Sequence, residues 1–382
     1  MKSKTNCIGI LTSGGDCPGL NAAIRGIVKA ATSRYGMQVI GILDGFRGLV
    51  ENRTIPLTYP EVSGILTQGG TILGTSRDKP RKMTMGGDEM DMTATAVRNA
   101  QKLGIECLVC LGGAGTQKNA LHLHEEGGLN VLTLPKTIDN DVAETDISFG
   151  FDTALTIATE AIDRLHTTAS SHQRLMVCEI MGHNAGWLAL GAGIAGGAEV
   201  ILIPEIPYDL DVVSAFLIER RRSGKRFSIL AVAEGAMSKD EFRRGPKNGK
   251  REKEKEKKDD KDTKREKSDS GRIVLPEFEE PMASRLAREL QHTTGIEVRM
   301  TSLGHVQRGG SPSPADRLLC TCLGAKAAEL LAAGVYNVMV AMKGGECEPV
   351  DLKKVAGRKK IVPVDHPWVL TARQVGTSFG DI

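Results

Sequence analysis

The sequence predicts an α/β protein made of parallel strands joined by crossover helices. Three observations carry this. Strand-like and helix-like patterns alternate along nearly all of the 382 residues. The strand-like runs are continuously apolar rather than alternating, as expected where both faces of a sheet are covered. Chemistry-bearing loops follow those runs, at the carboxyl ends of strands where such sheets bind ligands.

In chain order, apolar β-type runs fall at 7–11, 107–111, 131–134, 175–180, 200–203 and 229–232. Helix-period segments lie between many of them, at 21–31, 152–165 and 209–222 among others. Each strand–helix–strand unit is expected to be a right-handed crossover. The length suits two domains of ordinary size, and 40% apolar residues suit a globular core. The 44 glycines imply many tight turns and close backbone approaches.

Several function classes are disfavoured. A net charge of +3 provides no global field for nucleic acid or acidic membrane. Charge or glycine interrupts every apolar stretch before the roughly 18–20 residues that a membrane span needs. The first ten residues lack a signal-peptide core and run into a strand pattern, so a cytoplasmic protein is expected. Eight cysteines in a chain of this size do not form a disulfide scaffold. Cys107 and Cys110 form a CxxC, but they sit inside an apolar run and read as small hydrophobes of a buried strand. Residues 247–267 are almost all Lys, Glu, Asp and Arg. Such a segment cannot bury enough apolar surface to offset its ordering entropy, so it reads as a solvated insertion.

The loops come next. After the first strand, Thr12-Ser13-Gly14-Gly15-Asp16-Cys17-Pro18-Gly19-Leu20-Asn21 leads into a helix. Paired glycines allow phosphate oxygens near the backbone, and a helix N-terminus offers free N–H groups. The same feature also serves plain tight packing, and it matches neither a P-loop nor a dinucleotide fingerprint. Gly112-Gly113-Ala114-Gly115-Thr116 is a second loop of this kind, and two of them suit a long phosphorylated ligand. Pro135-Lys136-Thr137-Ile138-Asp139-Asn140-Asp141 follows the 131–134 run. Two carboxylates so spaced suit a base with a metal or water partner, and Asp and Asn also simply form turns. Ser170-Ser171-His172-Gln173-Arg174 reads as a loop before the next strand, and Met181-Gly182-His183-Asn184-Ala185-Gly186 follows that strand. Glu234, Arg299, His305 and Arg308 complete a set suited to phosphate and sugar hydroxyls.

Taken together, these motifs resemble the 6-phosphofructokinases. The resemblance rests on Gly14-Gly15-Asp16-x-Pro18-Gly19-x-Asn21, Gly69-Gly70-Thr71-x-x-Gly74-Thr75-x-Arg77 and Pro135-x-Thr137-Ile138-Asp139-Asn140-Asp141. It rests equally on 170–174, Met181-Gly182 and Gly304-His305-x-Gln307-Arg308-Gly309-Gly310, in order over residues 7–331. The resemblance implies two Rossmann-like domains with mainly parallel sheets and the active site in the cleft between them. Residues 1–150 plus about 312–345 would bind the phosphoryl donor. Residues 151–311 would bind fructose 6-phosphate, with 346–382 as a C-terminal extension.

By the same resemblance, Gly14, Gly15, Arg77, Gly113, Ala114, Gly115, Thr116 and Lys136 surround the donor. Asp139 takes the proton of the sugar 1-hydroxyl, with Thr137 and Asp141 beside the transferring phosphoryl and Arg77 among the catalytic set. Met181, Gly182, His183, Glu234, Arg299, His305 and Arg308 hold the sugar phosphate. Arg174 reaches a neighbouring subunit, which implies a homodimer or homotetramer. Gly115 points to ATP, because pyrophosphate users usually carry aspartate there; Lys136 points to pyrophosphate; Gly115 is given more weight on steric grounds. Two positions depart from the family. His183 stands where many relatives have arginine. Ala114 stands where the family's aspartate holds magnesium, Mg2+, and alanine cannot ligate a metal, so impaired turnover is expected. A pyrophosphate-dependent enzyme and a non-catalytic sugar-phosphate or nucleotide sensor are the alternatives on the same fold.

Overall fold

The computed structural model describes residues 3–244 and 280–382. The charged run at 247–267 lies outside the described residues. In chain order the strands are β1 (Cys7–Ser13), β2 (Gln38–Ile42), β3 (Thr54–Pro56), β4 (Met83–Met85), β5 (Asp88–Met90), β6 (Cys107–Gly112) and β7 (Val131–Pro135). They continue as β8 (Leu175–Ile180), β9 (Val200–Leu202), β10 (Ser228–Ala233), β11 (Val298–Ser302), β12 (Val338–Lys343) and β13 (Glu346–Asp351).

Among the described residues these strands form a seven-stranded sheet, ordered β13-β12-β7-β6-β1-β2-β3, and a four-stranded sheet, ordered β11-β8-β10-β9. The pairings inside both sheets are parallel. The antiparallel pairings of β3 and β13 lie at the two edges of the larger sheet. Every residue of β1, β6, β7, β8 and β10 is buried, as continuous apolar runs under helices on both faces require. The α/β class expected from the sequence is therefore present, with strand ends within a residue or two of the apolar runs.

Two helices seat the long return of the chain. The helices Leu20–Tyr35 and Pro314–Ala332 approach backbone to backbone. A Cβ at Gly324 would come within 2.7 Å of the Ile27 amide nitrogen, so no side chain fits there. The Pro314–Ala332 helix also caps a neighbour. Fully buried Asp316 accepts hydrogen bonds at 2.9 Å from the amides of Gly150 and Thr153, at the start of the helix Phe151–His172. Its carboxylate thus satisfies free N–H groups where a helix dipole favours negative charge. Burial nonetheless raises its pKa, against the lowering effect of those bonds.

Cys107 and Cys110 are buried in β6, and burial pushes both thiols up. They act as core side chains. The final residues, 346–382, run across both sheets: β13 edges the larger one, and Ser378 bridges to Val200 of β9 in the smaller. Among the described residues no helix is long and apolar enough to cross a membrane.

Candidate active site

The glycine loop after β1 is built by main-chain contacts. Ser13 bridges to Ser76, Gly14 donates its amide to the Ser76 carbonyl at 2.9 Å, and Thr75 Oγ1 donates to the Gly14 carbonyl at 2.7 Å. Gly14 has φ +88°, a region that disfavours any side chain. Buried Asn21 ties the next turn in place. Its Nδ2 donates to the Gly69 carbonyl at 3.1 Å, and its Oδ1 accepts from Ile72 N at 2.8 Å. Through Ser76, the exposed Arg77 is thereby set beside Gly14, and it makes no ion pair among the described residues.

The second glycine loop is more helical than a free loop would be. The helix Ala114–Glu125 begins at Ala114, with Gly113 as its N-cap, so the N–H groups of Ala114, Gly115 and Thr116 belong to its first turn. A Cβ on Gly112 would lie 2.1 Å from Thr116 Oγ1, which explains glycine there. A Cβ on Gly115 meets nothing within 4 Å, and the residue is exposed. Gly115 therefore borders open space, the room that a nucleotide needs. The first turn of this helix carries no acidic residue.

Between these loops lies the end of β7. Lys136 is 3% exposed, and its ammonium donates to the Gly15 carbonyl. Burial pushes its pKa down, with a smaller contribution in the same direction from the Arg308 charge. Thr137, Asn140 and Asp141 are buried, and the Asp139 amide donates to Thr137 Oγ1 at 3.1 Å. Asp139 Oδ1 is buried and lacks a hydrogen-bond partner among the described residues. An unpaired buried oxygen of this kind is costly unless a ligand or water completes it. Burial, and next the charge of Asp139, raise the pKa of Asp141, while Lys359 and His183 oppose the rise. The two carboxylates are thus electrostatic neighbours.

The smaller sheet supplies the facing loop. Glu234, at the end of β10, accepts from the amides of His183 at 2.7 Å and Gly182 at 3.4 Å. Gly182 has φ +147°, and a Cβ there would strike the Ala185 carbonyl oxygen at 2.5 Å. Gly235 likewise admits the His183 carbonyl, which would lie 2.1 Å from a Cβ. Met181, Gly182, His183 and Glu234 therefore form one tightly turned element. His305 and Arg308 sit on a short 3-10 turn, Gly304–Arg308. Arg308 donates to the Asp16 carbonyl at 3.1 Å, so it touches the first glycine loop and does not stand only on the opposite wall. Its Nε is another buried atom without a partner among the described residues.

One sequence expectation needs correction, and one predicted residue lies apart from the others. Residues 170–172 are not loop but the last turn of the helix Phe151–His172, which ends at Gln173 with φ 55°. Arg299 does not join the Met181 loop. It is the second residue of β11 and pairs in register with Met176, five residues before Met181 and so about 16 Å away along the strand. There Arg299 and Arg174 share the carboxylate of Glu297, at 2.5 and 2.9 Å. The residue type was legible in sequence, but which end of the strand it occupies was not.

Sequence reasoning also missed Lys360, whose ammonium donates to Asn140 Oδ1 at 3.0 Å beside the two carboxylates. No local pattern marks it, because it lies 220 residues downstream of its partner. Among the described residues no three His, Cys, Asp or Glu side chains come together as a metal cage. Magnesium typically needs only one or two carboxylates when it arrives with phosphates, and Asp139 and Asp141 are the acidic pair here.

Comparison with known proteins agrees with this geometry. The phosphofructokinase family profile matches residues 7–331. The chain is 53% identical to the ATP-dependent 6-phosphofructokinase of Propionibacterium freudenreichii subsp. shermanii, over 98% of this chain and 99% of that protein. It is 51% identical to the ATP-dependent 6-phosphofructokinase of Spirochaeta thermophila, over 99% and 98% respectively. Among solved structures, the T-state phosphofructokinase of Pichia pastoris superposes with a TM-score of 0.75 at 29% identity, covering 93% of this chain and 36% of that one. With its matched profile, its full-length relatives and its two mainly parallel sheets, this chain belongs to the phosphofructokinase family.

Proposed function

We infer that the protein is an ATP-dependent phosphotransferase that moves the γ-phosphoryl group of ATP to the 1-hydroxyl of fructose 6-phosphate, in the cytoplasm. The observation that carries the reading is Asp139 Oδ1, a buried carboxylate oxygen with no partner among the described residues, in a loop whose Lys136 and Thr137 lie against the two glycine loops and whose Asp141 feels the charge of His183. The relatives named as ATP-dependent support the choice of donor, and so does the open space at Gly115.

In this reading Asp139 takes the proton from the sugar 1-hydroxyl. The resulting oxygen attacks the γ-phosphorus, the bond from that phosphorus to the β,γ-bridging oxygen breaks, and ADP leaves. Little covalent work falls to the protein, so positioning and charge neutralisation dominate. Lys136 and Arg308, both held against the Gly15–Asp16 backbone, supply positive charge near the donor phosphates. Arg77, exposed and without an ion pair among the described residues, can turn toward the same phosphates. Glu234 presents its second carboxylate oxygen to sugar hydroxyls while the first holds the Gly182–His183 turn. A magnesium ion would supply charge neutralisation on the donor phosphates, with Asp141 and Asp139 as nearby carboxylates and Ala114 contributing nothing.

Arg174 and Arg299 lie together at the far end of the smaller sheet, bound to one exposed glutamate. That placement supports a role in the sugar-phosphate site of a second subunit, hence a homo-oligomer. Initial rates with fructose 6-phosphate and either ATP or pyrophosphate test the reading. Faster turnover with ATP is expected. Faster turnover with pyrophosphate would make Lys136 the better guide to the donor, and no turnover with either would favour the sensor alternative.

A further inference from the structure

The base loop has an unusual backbone. Asn140, between Asp139 and Asp141, has φ 52°, a left-handed conformation that asparagine enters more readily than most residues with a side chain. Its side chain is tied down from two directions. Its Oδ1 accepts from Ser148 N at 3.0 Å, within the same loop, and from Lys360 Nζ at 3.0 Å, from the C-terminal segment. The other two ammonium hydrogens of Lys360 are also committed, to the carbonyls of Thr145 at 2.9 Å and Asp146 at 2.8 Å. All three donors of the side chain thus end on one loop.

The main chain of Lys360 works in two further directions. Its amide donates to the Asp141 carbonyl at 2.9 Å, and its carbonyl accepts from Trp187 Nε1 at 3.1 Å. Trp187 begins the helix that directly follows the Met181–Gly186 turn. Two residues on, the segment is fixed again. Glu205 accepts from Val362 N at 2.9 Å and from Gly186 N at 3.0 Å, so a single carboxylate holds the segment and the sugar-side turn together.

We propose that Lys360 is a positioning residue for phosphoryl transfer: its ammonium fixes the Asp139–Asp141 backbone, and its main chain sets that backbone relative to the sugar-side turn. The proposal rests on the phosphotransferase reading for its kinetic consequence and on hydrogen bonds alone for its structural one. With all three ammonium donors committed to this loop, Lys360 acts through Asn140. Reactions of this type lose rate steeply when reacting groups are misplaced by even an ångström.

The test uses the full chain and Lys360→Met, which keeps length and removes the donors. Rates are read at saturating ATP and fructose 6-phosphate, together with hydrogen exchange of the substrate-free protein. Lys360→Met is expected to lower kcat about 10- to 100-fold, with the KM for ATP changed by less than about twofold. Asn140→Ala should give a similar loss, and the double variant no further loss, because the two act as one unit. Exchange in residues 136–149 should quicken by about tenfold, while β8 and β10 stay protected. An unchanged kcat in a parent that turns over, additive losses, or a fall in protection spread evenly over both sheets would each overturn the proposal. If Lys360→Met does not fold, Lys360→Gln is read in the same way, with a smaller loss expected. If the parent is inactive with both substrates, the phosphotransferase reading fails, and the exchange pattern alone decides whether Lys360 holds the loop.

Discussion

Around Asp139 nearly every polar group has a partner in the same chain, whereas Arg174 and Arg299, at the other end of the smaller sheet, share one exposed carboxylate. The first region is braced from several directions: Thr137 from within, Ser148 across the turn, Lys360 from the C-terminal segment, and Lys136 toward the glycine loop. Its unpartnered carboxylate oxygen stands out against that background. The second region has strong charge but little structure around it. Glu297 is 45% and Arg299 53% exposed, so their ion pair is open to solvent, where such pairs contribute little, while Arg174 is 26% exposed and its Nε is buried without a partner among the described residues. Hydrogen bonding to Arg174, and next the nearby positive charges, hold the Glu297 carboxyl below its ordinary range. A densely braced loop contrasts with a surface cluster of charges.

The largest expected effect lies at the braced end. Asp139→Asn removes the proposed base and should lower kcat by about 10²–10⁴-fold, with no loss of melting temperature, since a buried carboxylate with an unpaired oxygen is replaced by a neutral amide. A melting-temperature fall without loss of rate would mean that Asp139 is structural. Next comes Ala114→Asp, at the first residue of a helix whose first turn has no acid. It should raise kcat by about 10²–10³-fold if a preorganised electrostatic contact is restored. It should also stabilise the helix slightly, by about 0.3–1 kcal/mol. A variant no faster than the parent would show that the charge is supplied elsewhere. At the open end, Arg174→Ala should raise the KM for fructose 6-phosphate by about 10- to 100-fold, the loss of one charge-assisted hydrogen bond. ATP affinity should stay the same. Equal loss of both ligands would erase the distinction between the two regions.

The smallest effect concerns pH. The folded-state pKa of Asp141 is raised above 3.8, mainly by burial. The folded protein therefore holds this proton more tightly than the unfolded chain, and stability falls as pH rises through the folded value. Asp141→Asn should accordingly raise the melting temperature near pH 7, and the gain should vanish below about pH 3.8, where both states are protonated. A gain that persists at low pH would assign the effect to packing rather than charge.

Much of the braced end was legible in the sequence. Glycines at 14, 112 and 182 are demanded by positive φ or by atoms that a Cβ would strike, and such demands stay local to a few residues. The continuous apolar runs likewise announced β1, β6 and β7, because burial on both faces leaves no alternation to hide them. What stayed hidden depends on distance along the chain or on direction. Lys360 meets Asn140 across 220 residues, and Asp316 meets Gly150 across 166. Arg299 carried the right charge, yet only strand register reveals that it stands beside Met176 rather than Met181. The 170–172 stretch looked like a loop because serines and histidine are weak helix formers, and packing of the long Phe151–His172 helix overrode that preference.

The contrast between the two ends is tested most directly by mixing two impaired chains. Asp139→Asn lacks the proposed base but keeps Arg174; Arg174→Ala lacks the arginine but keeps Asp139. If Arg174 completes a neighbour's site, then unfolding and refolding the two variants together creates sites with both groups. In a random dimer, about a quarter of the parent activity should return at substrate concentrations where either variant alone is nearly silent. Recovery to that level is the predicted result. Activity that stays at the mean of the separate variants, in a mixture shown to have exchanged subunits, would contradict the account by placing Arg174 and Asp139 in the service of a single chain.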